Sequence, residues 1–363
     1  MSANYSMFLP SYSVGPDCYK EIKNITARYG KTVVVIGGKT ALEKAQPALM
    51  EGIKEAGLTV TDVLWYGGDA TYENVQMLAE NSAVQTADMI FAVGGGRAVD
   101  TCKTLSDNIG KPMFAFPTIA SNCAACTAIC VMYKTDGSLA GYHFMKRCCE
   151  HTFINTTIIA EAPEKLLWAG IGDALSKEYE ACFASRGCNL PHTPLMGICL
   201  SRACTQPLLD YGKQALEDCR NKKESVAIRE VALDIIISTG IVSNLTVGGK
   251  EYYYNSSLAH CFYNSYTYLP QAERHLHGEI VSFGTLVLLT YDKQIEERNK
   301  VAAFNKELGL PVTLAEMELN EADVDKLLEK AVTISEWNGS KQKLSLAEFK
   351  QAIFDMDAYG KTL

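Results

Sequence analysis

A chain of 363 residues exceeds what one small core organises and predicts two domains, while 47% hydrophobic and 21% charged residues are ordinary for a globular protein. A net charge of -8 and the lack of any Lys/Arg run exclude a nucleic-acid partner, because phosphate binding needs clustered cations. Residues 1–13 lack a basic region ahead of a long apolar core, and the most apolar stretch, 280–291, is too short for a bilayer, so a cytoplasmic protein with no membrane partner is expected.

Met7-Phe8-Leu9-Pro10 reads as an edge strand, and Gly15-Pro16-Asp17 as a turn opening a helix over 18–29. The β-branched run 31–36 suits a strand buried on both faces. Gly37-Gly38-Lys39-Thr40 follows, then a helix over 42–56, a strand over 59–65 and a helix over 71–87. The next apolar run, 89–93, breaks at Gly94-Gly95-Gly96. A helical segment 97–105 comes after it, then a strand over 112–116 and Pro117-Thr118-Ile119-Ala120-Ser121. Strand, glycine turn, helix and strand form a βαβ unit, the crossover a parallel sheet requires. Residues 1–160 therefore predict an α/β doubly wound parallel sheet, with ligands beyond the carboxyl ends of its strands.

From 161 onward helical periodicity dominates. Glu161-Ala162-Pro163-Glu164 reads as a helix start, and Leu175, Tyr179, Cys182 and Phe183 share one face of a segment beginning near Asp173. Helices are expected over 226–245, 256–266, 277–291 and 293–308, and Ser345-Leu-Ala-Glu348 is a capping-box pattern for a last one through 353. Residues 161–363 thus predict an all-α domain, with a cleft between it and the first. Thirteen cysteines without a secretory signal read as buried thiols of a reducing compartment, Cys123-Ala-Ala-Cys126 and Cys148-Cys149 included.

Glycine turns the backbone through positive φ and lets a ligand approach closely, and the helix N-terminus beyond it favours an anion. Read from spacing alone, Gly94-Gly95-Gly96 is either such a site or a plain tight turn, and it is not the G-x-G-x-x-G fingerprint. The six histidines form no H-E-x-x-H pair, and His275-x-His277 by itself is either solvated or a ligand pair.

Gly94-Gly95-Gly96-Arg97 with Asp100, followed by the 117–121 segment, resembles the cofactor-binding region of the iron-containing alcohol dehydrogenase superfamily, nearest its glycerol dehydrogenase-like branch. The segment 169–177 resembles the one whose aspartate ligates metal in that family. Residues 259–264 and 276–279 resemble those carrying its histidine ligands. The resemblance implies Asp173, His260 and His277 as catalytic metal ligands, a donor set suited to zinc or iron. It implies an NAD(P) site from Gly38, Gly95, Gly96, Arg97, Asp100, Thr118, Ser121, Thr127, Ile129 and Tyr133, with Cys123 and His260 toward a small alcohol or keto substrate. An assembly of identical subunits is expected with it.

Cys123 stands where the glycerol-oxidising branch has an aspartate, and the run 122–127 is closer to a hydroxycarboxylate dehydrogenase-like variant, which favours a 2-hydroxy acid over a polyol. Gly38-Lys39 stand where an acidic residue would exclude a 2′-phosphate, so NADP(H) is expected to be accepted. Tyr263 stands where many relatives have a further histidine. A lyase of the 3-dehydroquinate synthase type would crowd cations near the metal, yet only Arg274 lies between 256 and 289. A non-catalytic nucleotide-binding protein is the other alternative, and the complete ligand trio weighs against it.

Overall fold

The computed structural model describes residues 5–249 and 251–363, so the first four residues of the segment read above for a signal peptide lie outside the described residues. The runs read as strands assemble a six-stranded sheet. Its strands are β1 (Tyr12–Val14), β2 (Thr32–Gly37), β3 (Thr59–Trp65), β4 (Met89–Gly94), β5 (Met113–Pro117) and β8 (His151–Ile154). The order is β1-β8-β5-β4-β2-β3 and every pairing is parallel. Between β5 and β8 the chain makes an antiparallel hairpin, β6 (Ile129–Tyr133) and β7 (Leu139–Phe144).

Alternation along the strands decides the packing. Val33, Val35, Phe91, Val93, Phe114 and Phe116 share one core cluster with Ala45, Leu49 and Ile53, which recur every four residues along α1 (Lys39–Glu55). Phe116 stacks on Phe153 of β8 at 4.8 Å between ring centroids. Burial of each such ring contributes roughly 1.5–3 kcal/mol. All six residues of β4 are buried, which is why that strand reads as an unbroken apolar run instead of an alternating one.

The first edge strand forms at Tyr12–Val14, after the expected 7–10 segment, in which Pro10 has no N–H to give a ladder. The expected helix over 71–87 is two. Tyr72–Ala79 ends at Glu80, and the Asn81 side chain accepts from the Ala83 N–H to begin Ser82–Thr86. The segment 18–29 is a 3-10 turn and a short helix, Cys18–Glu21 and Ile22–Thr26. Residues 226–246 are helical throughout, with a π-helical turn at Asp234–Ser238. The last helix runs Leu346–Gly360, beyond the expected 353, and its Ser345 hydroxyl accepts from the Glu348 N–H as the capping pattern requires.

The chain divides into two compact units. One comprises the chain up to Leu166 together with Glu217–Asn244, and the other comprises Leu167–Leu216 and Leu245–Leu363. A single cut after residue 160 therefore misses the return of 217–244 to the first unit. There the Asn244 amide bridges Cys126 and Ala128, donating to the Cys126 carbonyl and accepting the Ala128 N–H. The first unit holds the parallel sheet and the second is helical, so the fold is an α/β sheet followed by an all-helical region. None of the described helices is long and apolar enough to cross a membrane. None of the thirteen cysteines forms a disulfide, and burial pushes the Cys126 thiol well up, as befits a small core residue.

Candidate functional site

In the first unit the turn after β4 is built by three glycines with separate tasks. Gly94 takes φ +146°, a region open to glycine. A Cβ on Gly95 would meet Ile119 Cδ1 at 2.6 Å, and one on Gly96 would meet the Asn122 amide at 2.9 Å. The helix that follows, α2 (Gly96–Ile109), has Gly95 as its N-cap and no side-chain cap, so no side chain at its cap competes with an anion for its first N–H groups. Gly95, Gly96, Pro117, Ile119 and Ser121 line one recess there. Thr118 is tied to the turn, its N–H donating to the Gly94 carbonyl at 3.3 Å. Gly38, just after β2, would admit a Cβ at ordinary contact distance, 3.7 Å from Tyr66 Cε1 and 3.8 Å from Ala41 Cβ.

The other residues expected along the dinucleotide divide in two. Arg97 is exposed, lies over the Tyr133 ring at 4.9 Å and pairs with Asp69 at 3.2 Å. Asp100 and Thr127 instead face inward, a correction to the expectation that they border the ligand. The Asp100 carboxylate pairs with the buried ammonium of Lys103 at 2.8 Å and accepts the Val131 N–H at 3.0 Å. Lys103 also donates to the carbonyls of Ala124, Thr127 and Ile129, at 2.9, 3.2 and 2.6 Å. Ile129 thus contributes through its backbone. This network fastens the 124–131 segment to α2 and works behind the recess.

In the second unit, Asp173 ends α3 (Glu164–Ala174), His260 lies in the first turn of α5 (Leu258–Tyr266), and His277 opens α6 (His277–Tyr291); α4 (Ser176–Ser185) follows Asp173 directly. Two glycines bring these ends together. A Cβ on Gly278 would stand 1.8 Å from the Ala169 carbonyl oxygen, and one on Gly172 would stand 2.4 Å from the Gly278 carbonyl oxygen. The two helices touch backbone to backbone there, which sets Asp173 beside His277.

One carboxylate oxygen of Asp173 and one ring nitrogen from each histidine lie within 4.8 Å of one another. Asp173 Oδ1 is 3.0 Å from His277 Nε2 and 3.6 Å from His260 Nε2. The three side chains are 16%, 19% and 39% exposed, so the group is sheltered yet reachable from His277. Tyr263 sets its ring edge-on to His277, with 4.2 Å between centroids.

The electrostatics ask for a cation. Burial alone would raise the Asp173 carboxyl, but the His277 and His260 imidazoles hold it well below the usual carboxylate range. Burial would lower His260, yet Glu180 and Asp173 outweigh it and push the imidazole up to about 10. Two carboxylates around one imidazole thus attract positive charge, whether a proton or a metal ion. Three N/O donors with sheltered access suit a zinc or ferrous ion with a position left for another oxygen ligand.

Two residues of this unit went unread in the sequence. Glu180 is fully buried and hydrogen-bonds His260. Lys177, also buried, donates to the Asn255 carbonyl and to its side-chain oxygen, at 3.2 and 2.8 Å. The signal was present: Asp173, Lys177 and Glu180 fall four and then three residues apart, along one helical face.

The first unit thus offers a recess at a helix N-terminus, and the second a donor set that suits a cation. Residues 10–156 match the family model described as iron-containing alcohol dehydrogenase. The chain is 34% identical over 299 residues to hydroxycarboxylate dehydrogenase A of Escherichia coli (strain K12), covering 81% of this chain and 80% of that protein. It is 30% identical over 318 residues to a glycerol dehydrogenase of Escherichia coli O6:H1, covering 85% and 83%. The solved glycerol dehydrogenase of Schizosaccharomyces pombe has the same fold, with a TM-score of 0.87 over 99% of this chain and 92% of that one, at 24% identity. The chain belongs to the iron-containing alcohol dehydrogenase family and is an alcohol dehydrogenase.

Proposed function

We propose that this enzyme interconverts a small secondary alcohol and its ketone by hydride transfer, using NAD(P)(H) and one divalent cation, zinc or iron, with a 2-hydroxy acid and its keto acid as the preferred pair. The observation carrying this reading is the convergence onto one volume of Asp173, His260 and His277, from three segments of the chain, His260 lying 87 residues after Asp173 and His277 a further 17. Asp173, His260 and His277 would hold the cation, which when bound draws electron density from the substrate hydroxyl and lowers its pKa. The nicotinamide supplies the hydride acceptor, the chemistry being the cofactor's own.

The chain's residues do the rest. Gly95 and Gly96 admit a pyrophosphate to the α2 N-terminus without a Cβ in its way, and Thr118 and Ser121 flank it. Arg97 adds a cation beside them, held by Asp69 and the Tyr133 ring. The lack of a carboxylate at Gly38 and the neighbouring Lys39, whose ammonium lies 4.7 Å over the Trp65 ring, support acceptance of a 2′-phosphate. Cys123 in place of an aspartate supports an acid substrate, since a carboxylate there would repel one. His260 is assigned to the substrate as well as to the cation. Self-association of identical chains belongs to the same proposal, and sedimentation velocity measures it.

Metal analysis together with absorbance at 340 nm tests the reading. One cation per chain is expected, with turnover of 2-oxobutyrate or phenylpyruvate exceeding that of glycerol and 1,2-propanediol. Polyols turning over well while keto acids do not would leave the dehydrogenase reading intact and overturn the acid preference. Asp173→Asn that still binds metal and turns over normally would overturn the site.

A further inference from the structure

Glu180 is the most completely occupied carboxylate near the trio. It lies in α4, one and a half turns beyond the end of the helix that carries Asp173, and its side chain is fully buried. Oxygen Oε1 accepts two backbone N–H groups at the start of α5, from Ser257 at 2.7 Å and His260 at 2.9 Å. Oxygen Oε2 faces His260 Nδ1 at 2.5 Å. The cap residue Ser257 makes no side-chain cap bond, so Glu180 caps this helix from outside.

We infer that Glu180 is a positioning residue that fixes the His260 ring with its proton on Nδ1, leaving the Nε2 lone pair as the donor beside Asp173. The chemistry is forced. A carboxylate occupied by two N–H donors is an acceptor only, so the nitrogen facing its second oxygen must carry hydrogen. In the neutral ring Nε2 is then bare, and Nε2 is the atom that lies 3.6 Å from Asp173 Oδ1. The two bonds on Oε1 also stop the carboxylate from turning away. One buried side chain thus sets both the start of α5 and the ring state of its first functional residue. The inference rests on the metal reading of the trio.

Glutamine at 180 is nearly isosteric but changes the sign of one contact. With its oxygen kept on the Ser257 and His260 N–H groups, its NH2 faces Nδ1. That nitrogen must then accept, the proton moves to Nε2, and the donor atom is blocked. The alternative rotamer restores Nδ1–H at the cost of setting NH2 against two N–H groups.

The test is zinc affinity by chelator competition in wild type, Glu180→Gln, Glu180→Asp and Asp173→Asn, with melting curves of the zinc-free proteins. Nitrogen-15 spectra of the zinc-loaded, histidine-labelled chain accompany them. The expected result is a roughly 10- to 100-fold weaker zinc affinity in Glu180→Gln, with Glu180→Asp between it and wild type. A downfield Nδ1 proton of His260 is expected in zinc-loaded wild type and is lost in Glu180→Gln. Glu180→Gln binding zinc within twofold of wild type overturns the inference, as does a lowered melting temperature with unchanged affinity, which marks a cap and nothing more. Should that variant not fold, the wild-type spectrum decides alone: His260 ligated through Nδ1 overturns the inference. Wild type that binds no zinc, or Asp173→Asn that binds it as well as wild type, refutes the metal reading itself.

Discussion

Replacing Gly278 with alanine tests how the metal centre is assembled. The added Cβ would stand 1.8 Å from the Ala169 carbonyl oxygen, and ordinary contact begins at 3.4 Å, so the helices must part by about 1.6 Å at this point. The obstacles, the Ala169 carbonyl and, at 2.9 Å, the Asp173 backbone nitrogen, are both backbone of α3, so no side-chain rotation relieves the clash. His277 adjoins the clash, and the 3.0 Å separation of its Nε2 from Asp173 Oδ1 has no slack to absorb such a shift. Overpacking of this kind costs about 1–3 kcal/mol in stability. Misplacement by about 1 Å at a reacting centre costs on the order of 100-fold in rate. The expected outcome is a protein that still folds, melts a few degrees lower and loses at least 100-fold in kcat/KM, with weakened zinc binding. The assays are circular dichroism melts, chelator competition and absorbance at 340 nm. Wild-type zinc affinity and turnover in Gly278→Ala would refute the claim that the backbone contact at Gly278 sets the site.

Lys103→Met leaves the Asp100 carboxylate buried without its counter-charge and frees the carbonyls of Ala124, Thr127 and Ile129. A loss of about 3–5 kcal/mol in urea unfolding is expected, with a raised KM for the nicotinamide; a loss under about 1 kcal/mol would contradict the network's role. Gly38→Asp fits sterically, its nearest neighbours standing 3.7 and 3.8 Å from the new Cβ. It is expected to lower kcat/KM for NADPH relative to NADH at least tenfold, through repulsion of the 2′-phosphate, and an unchanged ratio would place that phosphate elsewhere. His151 is buried between Ser11 and Ser13, and desolvation pulls its pKa down to about 4. Below the unfolded value near 6.5 the unfolded chain takes up a proton that the folded one refuses. This contribution is therefore fully present above about pH 6.5 and lost as pH falls toward 4, up to about 3 kcal/mol in all. Unfolding free energies across that range should fall more steeply in wild type than in His151→Gln, and parallel curves would disprove the linkage.

The local pattern determined much of this protein. The unbroken apolar runs of β2, β4 and β5 announce strands covered on both faces, and the glycines after β4 announce a turn that a ligand can approach. Those signals lie within a few residues of one another, so they are legible without the fold. The short strand His151–Ile154 is not, because four residues carry little periodicity and only the slot between β1 and β5 makes them a strand. Nor did the sequence separate Asp100 from Arg97. They sit three residues apart near the start of α2, and only the three-dimensional course of 124–131 turns one inward to Lys103 and leaves the other in solvent.

The metal centre marks the same division. Resemblance nominated Asp173, His260 and His277, but their residue types and spacing specify no distance between them. The meeting of Asp173 with His277 depends on Gly172 and Gly278 letting two helix backbones touch, a long-range contact between segments over a hundred residues apart, and Gly284 lets the His277 helix approach the Ala259 backbone beside His260. Glu180, invisible as one carboxylate among many, acquires its role only once α5 folds its first N–H groups and the His260 ring onto it. What a residue is and how its neighbours repeat is written locally. Which atoms meet is settled by tertiary packing, because proximity there comes from the shape of the folded chain and not from order along it.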